Sequence, residues 1–411
     1  MVIKKVASRV ILAAATLVVS VALPARAAVA PMAKVMTNYE TQTGRRLSRD
    51  CGYSAPLPAD PSQSLWLFCD TAQYDANGNP YPAAFPFWPG TFAAVGPSAS
   101  GQVPTTLSHV PTPPTVPTAA NTQSPSLFLP NPANFTDSYG KPCAYSATWA
   151  LGVSAGSAAP ATLMNGTTPV QVSDASQLLF VSYIQVCVAQ DVNGNWSGLD
   201  LIPKRFGVAA YDPTVNKIIA NQIVFSADGP GAKLPWQQNL FHPTFAGNYM
   251  YMYGYNCDNL FKPFAACLQG RAITARVPLN SIHNGATYEY QTATGWTTDY
   301  QQASDVLGNS GLGTLALDVG DFSAQGRGYV LMEQLTYGGH YRLWQASSPQ
   351  GPWTKVRESV MPGCSTGTGG GCYHLWSHAE LSTQDKLMYS FYDMKKAEVI
   401  LNVIDDVPHL Q

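Results

Sequence analysis

The chain has 411 residues, with 23 basic and 25 acidic side chains and a net charge of −2. With no basic run and no RNA-type motif, that balance argues against nucleic acid as a partner. Tyr, Phe and Trp number 21, 15 and 9, and 34 Gly and 32 Pro punctuate the whole length, a composition that suits an all-β exported protein.

Residues 1–30 read as a secretory signal. Lys4, Lys5 and Arg9 precede the apolar run VILAAATLVVSVAL, and the small-residue sites ARA and AVA follow. Cleavage is expected near Ala27 or Ala30, and no second long apolar run follows. The expectation is a secreted, soluble protein, monomeric, at the cell envelope or outside the cell. The roughly 380 remaining residues suffice for one large core or two domains. Residues 31–411 are read as a single domain.

The first stretch after the leader, Asp50 to Thr71, contains two strand-like runs joined by a Pro-rich turn region (Pro56, Pro58, Pro61). Asp50-Cys51 flanks one run and Cys69-Asp70 the other. If the runs pair antiparallel with Cys51 facing Cys69, Asp50 lies opposite Asp70. Both carboxylates then leave the sheet on the face opposite the disulfide, since side chains alternate along a strand. Two close like charges raise the pKa of one of them, which serves a hydrolase that needs one acid and one base. The plainer reading makes both aspartates solvated residues at strand ends.

No amphipathic helix is evident beyond the leader. Five apolar-aromatic runs recur instead: LWLFCDT (65–71), LLFVSYI (178–184), YMYMYGYN (249–256), GYVLMEQLT (328–336) and KLMYSFYD (386–393). Each is followed by a second strand-like run, namely GTFAAVGPS (90–98), FGVAAYDP (206–213), AITARVP (272–278), YRLWQASSP (341–349) and AEVILNVID (397–405). Each is preceded by a segment that opens the unit, the second of these near CAYSATWALGVS (143–154). Five strand–hairpin–strand units predict a five-bladed β-propeller, with a β-sandwich as the rival. The Pro/Thr/Ser-rich segment Val103–Phe135 is expected to bury no core and to form a long exposed insertion.

Eight cysteines after a leader imply disulfides, and pairing neighbours gives 51–69, 143–187, 257–267 and 364–372. No CxxC pair supports zinc. There is no GxSxG, HExxH, Walker loop, dinucleotide fingerprint or EF-hand loop. No cofactor is expected, and a calcium ion on the propeller axis has no motif behind it. Asp258, Asp305 and Asp393 read as turn residues, and Glu333 lies mid-strand facing either way.

In a propeller the first strand of each blade lines the axis. Besides Asp50 and Asp70, that places His242, Asp318, His378 and Glu380 near one pocket. His378 and Glu380, two apart, are expected to share a strand face and hold substrate, or Glu380 to act as an acid. Against this stands a satisfied buried pair, and a lone histidine such as His242 is more often a structural hydrogen-bonder. Trp376, sharing its strand's alternation with His374, is either a stacking platform for a sugar or a core aromatic.

Asp50 with SAPLP and SLWLFCDT, then GRAITARVPLNSI (270–282) with a later GW, YRLWQASSPQGPW (341–353) and HAELSTQDKLMYSFYD (378–393), resemble the endo-D-arabinanases of glycoside hydrolase family 183. The resemblance spans residue 40 or so to the end. It implies a secreted five-bladed propeller that cleaves arabinofuranose linkages in cell-wall arabinan or arabinogalactan, with Asp50 and Asp70 in the catalytic places. Two departures stand out: Cys69 replaces the glycine usual before the second aspartate, and Ala379 replaces the proline of an HPEL-like stretch. A catalytically silent glycan-binding propeller, and an L-arabinan- or fructan-type hydrolase, are the alternatives.

Overall fold

The computed structural model describes residues 46–74, 88–104, 106–110, 127–137, 139–190, 196–229, 232–235, 238, 240–255, 272–308, 316–368 and 370–410. The leader and the Cys257–Cys267 pairing lie outside them. The described chain is all-β, in five sheets that form a five-bladed propeller, with only short 3-10 turns among its helices.

The first blade holds β1 (Arg46–Leu57), β2 (Asp60–Tyr74), β3 (Phe92–Pro97) and β4 (Ser108–Val110). The second contains β5 (Tyr145–Ala155), β6 (Ala161–Asn165), β7 (Thr168–Val172), β8 (Leu179–Gln190), β9 (Trp196–Asp212) and β10 (Lys217–Ser226) in the order β5-β8-β9-β10-β6-β7. The β6–β7 hairpin turns through Gly166-Thr167, with Gly166 at φ +61°, a conformation that glycine adopts without a Cβ penalty. It docks on the outer edge of the blade through Asn221 and Asn165.

The third blade runs β11 (Thr244–Ala246), β12 (Tyr249–Tyr255), β13 (Ala272–Pro278), β14 (Glu289–Thr292) and β15 (Gly295–Thr297). The fourth is β16 (Ala316–Asp321), β17 (Tyr329–Gln334), β18 (His340–Ala346) and β19 (Thr354–Val360). The fifth is β20 (Cys372–Ser377), β21 (Lys386–Asp393) and β22 (Glu398–Asp405).

All five apolar-aromatic runs are the second strands of their blades. A second strand lies between the sheets of two neighbouring blades, so both its faces are covered and its sequence need not alternate. In β8 every residue from Leu179 to Ala189 is buried. The outermost β19, TKVRESV, has no buried residue, and its charges guard a sheet edge. The ring closes between its first and last blades, where Trp66, Phe68 and Phe92 pack with Met388, Val399, Leu401 and Val403.

Three of the expected disulfides are formed, Cys51–Cys69, Cys143–Cys187 and Cys364–Cys372. The Pro-rich stretch departs from expectation at both ends. Leu107 is fully buried and leads into β4, while Phe128 and Leu129 are buried and Leu129 bridges to Thr91. Isolated apolar residues among the prolines anchor the flanks to the first blade. The central residues 111–126 lie outside those described.

Candidate active site

The hairpin that carries both aspartates is not a plain ladder. Arg49 pairs with Thr71, but Cys51 pairs with Phe68 and Tyr53 with Leu67. Asp50 therefore stands opposite two residues, Cys69 and Asp70, and one residue on, Gly52 is the compensating extra residue of β1. Two adjacent left-handed residues, Cys51 at φ +68° and Gly52 at +102°, accomplish this double bulge. A Cβ on Gly52 would lie 2.7 Å from Val399 of the fifth blade, so only glycine fits there.

The bulge corrects the expected placement of the carboxylates. The Cys69 sulfur approaches the Ala150 carbonyl of β5, and Asp70 turns to the same strand, on the same side as the disulfide. Asp50 turns to β20 of the fifth blade. A bulge re-aims one side chain out of the strict alternation that sequence spacing assumes.

Asp70 is held by three donors. Trp149 Nε1 donates to Oδ1 at 2.6 Å, the Gly90 amide donates to Oδ1 at 2.9 Å, and the Tyr145 hydroxyl donates to Oδ2 at 3.3 Å. Asp50 accepts at Oδ2 from the Tyr373 hydroxyl at 3.2 Å, while its Oδ1 is buried with no hydrogen bond among the described residues. Both aspartates retain some surface open to solvent, as do Trp88, Tyr145, Trp149, Tyr373 and His374 around them.

Burial pushes the Asp70 carboxyl up to about 7, against the pull of Gly90, Trp149 and Tyr145. Asp50 is raised well above the ordinary aspartate range by burial and then by the Asp70 charge, against Tyr373 and the backbone amides of Asp50 and Asp70. Burial, with both aspartates nearby, also pushes the Tyr145 and Tyr373 phenols up, so both remain hydroxyl donors. Asp50 also clusters with the sulfurs of Cys51 and Cys69, but the disulfide consumes both, so this trio is no metal-ligand set.

Contacts along β1 pass from the carboxylates into the axis. After Asp50 and Tyr373 comes Tyr53, whose hydroxyl lies 2.8 Å from His374 Nδ1 and whose ring lies 4.6 Å from that of Trp376. Trp376 stacks on His242 at 4.0 Å with 11° between planes. Ser54 then meets His378 Nδ1 at 2.6 Å and Glu380 Oε1.

The five residues expected to bind substrate thus lie together at the axis, all of them deeply set. His242 is 6% exposed, Asp318 and Trp376 1%, and His378 0%. The Glu380 side chain is 5% exposed. His242 Nδ1 bonds Asp318 Oδ1, and Asp318 Oδ2 accepts from the Ser377 amide at 2.6 Å and from the Ser377 hydroxyl. Contrary to the expectation that they share a strand face, His378 and Glu380 lie beyond the end of the strand. β20 ends at Ser377, His378 caps a 3-10 turn over Ala379–Leu381, and the pair converge on Ser54 through that turn. Nor does β20 alternate, since its register slips between Tyr373 and Trp376.

Glu333 is buried, accepting from Trp344 Nε1 at 3.0 Å. Asp393 caps its turn through the Lys396 amide, and Asp305 caps the Leu307 amide, while Asp258 lies outside the described residues.

Sequence reasoning missed Tyr145, Trp149, Tyr373 and Gly90. Tyr145 and Trp149 carried a signal, for residues four apart on a strand share a face, and both reach Asp70. Gly90 and Tyr373 carried none, since each arrives from a distant turn or blade. Replacing Trp149 with Phe keeps the aromatic wall and removes one donor to the ionised carboxylate. The Asp70 carboxyl is expected to rise further above about 7, read by carboxyl-carbon NMR titration.

Residues 184–400 match the family model described as "Domain of unknown function (DUF5005)". No curated protein matches. Among solved structures, one described as a "putative hydrolase" from Bacteroides ovatus is 15% identical, with a TM-score of 0.52 over 92% of this chain and 90% of that one. Zg3597, a family 117 glycoside hydrolase of Zobellia galactanivorans, is 10% identical over 91% of each chain, with a TM-score of 0.42. A levansucrase from Gluconacetobacter diazotrophicus is 10% identical over 88% of this chain and 79% of that one, with a TM-score of 0.45.

Proposed function

We propose that this chain, which belongs to the DUF5005 family, is a secreted glycoside hydrolase that cleaves arabinofuranosyl linkages in cell-wall D-arabinan with Asp50 and Asp70. The observation that carries the reading is the pair itself. Two carboxyls on adjacent strands sit largely below the surface, each gripped by a tyrosine from a different neighbouring blade. Burying like charges together costs free energy and stabilises no fold. A glycosidase uses such a pair, because it needs one carboxyl protonated and one ionised at the same pH.

The donors divide the roles. Three hydrogen bonds favour the ionised form of Asp70, which serves as base or nucleophile. Asp50 has Tyr373 and two backbone amides to lower it, but burial and the Asp70 charge outweigh them and its Oδ1 is buried with no hydrogen bond among the described residues, so it keeps its proton and serves as the acid. Low charge in the chain and the partly exposed rings of Trp88, Tyr145 and Trp149 suit an uncharged sugar polymer. The choice of D-arabinan rests on the resemblance to glycoside hydrolase family 183. Trp376, sealed between Tyr53 and His242, is a core aromatic and not a sugar platform, and with His242, Asp318, His378 and Glu380 it braces the innermost strands behind the carboxyls. Secretion is supported by the leader-like N-terminus and by disulfides. Among the described residues no helix is long and apolar enough to cross a membrane.

The test is incubation of the purified protein with cell-wall arabinogalactan and analysis of released oligosaccharides. Release of arabinose oligomers supports the reading. Retained binding without release would instead favour the silent glycan-binding propeller.

The raised carboxyls also set a pH dependence. Activity should rise as Asp70 ionises near pH 7 and fall again at higher pH as Asp50 loses its proton. Stability runs one way. The folded state holds protons that the unfolded chain, with aspartates near 3.8, releases earlier. Their stabilising contribution is therefore complete below that value and lost as pH rises through about 7. Thermal midpoints at pH 4.5 and 7.5 should show a decline that the Asp50→Asn/Asp70→Asn double variant lacks.

A further inference from the structure

Of the three described histidines gathered at the axis, only His374 is half-buried and not buried. His242 is 6% exposed and His378 is sealed. It stands in the β20 bulge between Tyr373 and Trp376 with φ +55°. A left-handed backbone is costly for a residue with a Cβ, and such residues persist where the surrounding structure demands them, often at ligand sites. Here the bulge turns the imidazole out of alternation with Trp376. The ring lies 4.6 Å from that of Tyr373, the residue that holds Asp50, and edge-on to Tyr53 at 5.8 Å.

Tyr53 takes Nδ1 at 2.8 Å, and among the described residues Nε2 has neither a hydrogen-bond partner nor a sealed surface. Burial holds the ring down to about 3, so it is neutral across the useful pH range. A neutral imidazole beside two carboxyls offers nothing to an anionic ligand. It offers one directional atom that donates or accepts according to how the Tyr53 hydroxyl turns. A sugar hydroxyl has the matching versatility.

We propose that His374 is a substrate-binding residue whose Nε2 hydrogen-bonds a hydroxyl of the furanose ring seated beside Asp50. The inference rests on the hydrolase reading above and adds to it a residue whose removal weakens binding and leaves the chemistry intact.

His374→Gly is the informative variant, because glycine adopts the left-handed backbone without strain and takes away the imidazole with its Tyr53 hydrogen bond. His374→Asn tolerates the same backbone and restores a polar group. The probe is a D-arabinofuranose hexasaccharide, with KM and kcat measured on the full chain and binding measured by calorimetry in an Asp70→Asn background. His374→Gly is expected to raise KM and weaken binding roughly tenfold, with kcat within twofold and the pH profile unchanged, beside a modest fall in thermal midpoint from the lost Tyr53 hydrogen bond and ring contacts. His374→Asn should recover part of the loss. Unchanged KM and binding in His374→Gly would overturn the inference and leave the hydrolase standing. So would a fall in thermal midpoint with no change in binding, which would mark a structural residue. A wild-type protein that neither cleaves nor binds the hexasaccharide would remove both readings together.

Discussion

Asp70→Asn and Asp50→Asn are each expected to lower turnover on arabinan oligosaccharides by about 10³-fold without unfolding the chain. Asparagine is nearly isosteric with aspartate and keeps a carbonyl oxygen for Trp149 Nε1 and the Gly90 amide at position 70, or for Tyr373 at position 50. What it loses is ionisation and proton transfer. Because burying two carboxyls within reach of each other's charge costs free energy, the thermal midpoint of either variant at pH 7.5 should equal or exceed that of the wild type. The two variants should then part in their substrate dependence. If Asp50 is the acid, Asp50→Asn should lose far less activity on an aryl arabinofuranoside, whose leaving group needs little protonation. If Asp70 is the base or nucleophile, Asp70→Asn should lose both substrates and be partly rescued by azide. Equal loss on both substrates in Asp50→Asn would remove its assignment as acid. Wild-type rates in either variant would remove the carboxylate pair.

The propeller was legible because its second strands, packed between two blades, are largely apolar on both faces. LWLFCDT, LLFVSYI and KLMYSFYD announce themselves as buried strands by composition alone. The two aspartates were legible for a different reason, since each adjoins a cysteine that had to find a partner. What spacing could not supply was direction. Alternation sends Asp70 away from the disulfide, whereas two left-handed residues at Cys51 and Gly52 shift the ladder and bring it round to β5. The same failure recurs at His374, whose positive φ breaks the alternation of β20. At His378–Glu380, alternation fails because the strand has already ended in a turn. Tyr145 and Tyr373 complete the site from blades that lie far from the hairpin in sequence. Only the closed ring places them on either side of it.

Replacing both Cys51 and Cys69 with alanine is expected to cost about 3 kcal/mol of stability and to lower kcat by ten- to a hundredfold. The stability figure follows from the loop. The bridge joins residues 18 apart, and cutting it returns that much chain entropy to the unfolded state. The larger consequence is geometric. Asp50 and Asp70 are each the covalent neighbour of a bridged cysteine, and the bridge spans the bulge that sends one carboxyl to β5 and the other to β20. Without it, the left-handed Cys51–Gly52 pair is held only by packing against Val399 and by the Ser390 hydroxyl donating to the Gly52 carbonyl, and relaxation toward a regular ladder would carry Asp70 away from Trp149 and Tyr145. Misplacement of a reacting group by about 1 Å can cost 10²-fold in rate. Activity should be measured well below the thermal midpoint, so that loss of folded protein does not stand in for loss of geometry. Carboxyl titration by NMR gives the independent reading, since an Asp70 freed from its three donors and from burial should return from about 7 toward 3.8. Reductant added to the native wild type should have little effect at first, because both sulfurs are sealed, with Cys51 0% and Cys69 2% exposed. Activity should fall only as fast as the chain opens. The other two bridges reinforce the same rim: Cys143 stands two residues before Tyr145, and Cys372 directly precedes Tyr373. Every described disulfide therefore fastens an innermost strand within two residues of a group that holds or is one of the carboxyls. If the Cys51→Ala/Cys69→Ala variant lost stability but kept its turnover and its Asp70 titration, the bridge would be a staple for the fold alone, and the bulge would owe its shape to packing against Val399 and Ala150.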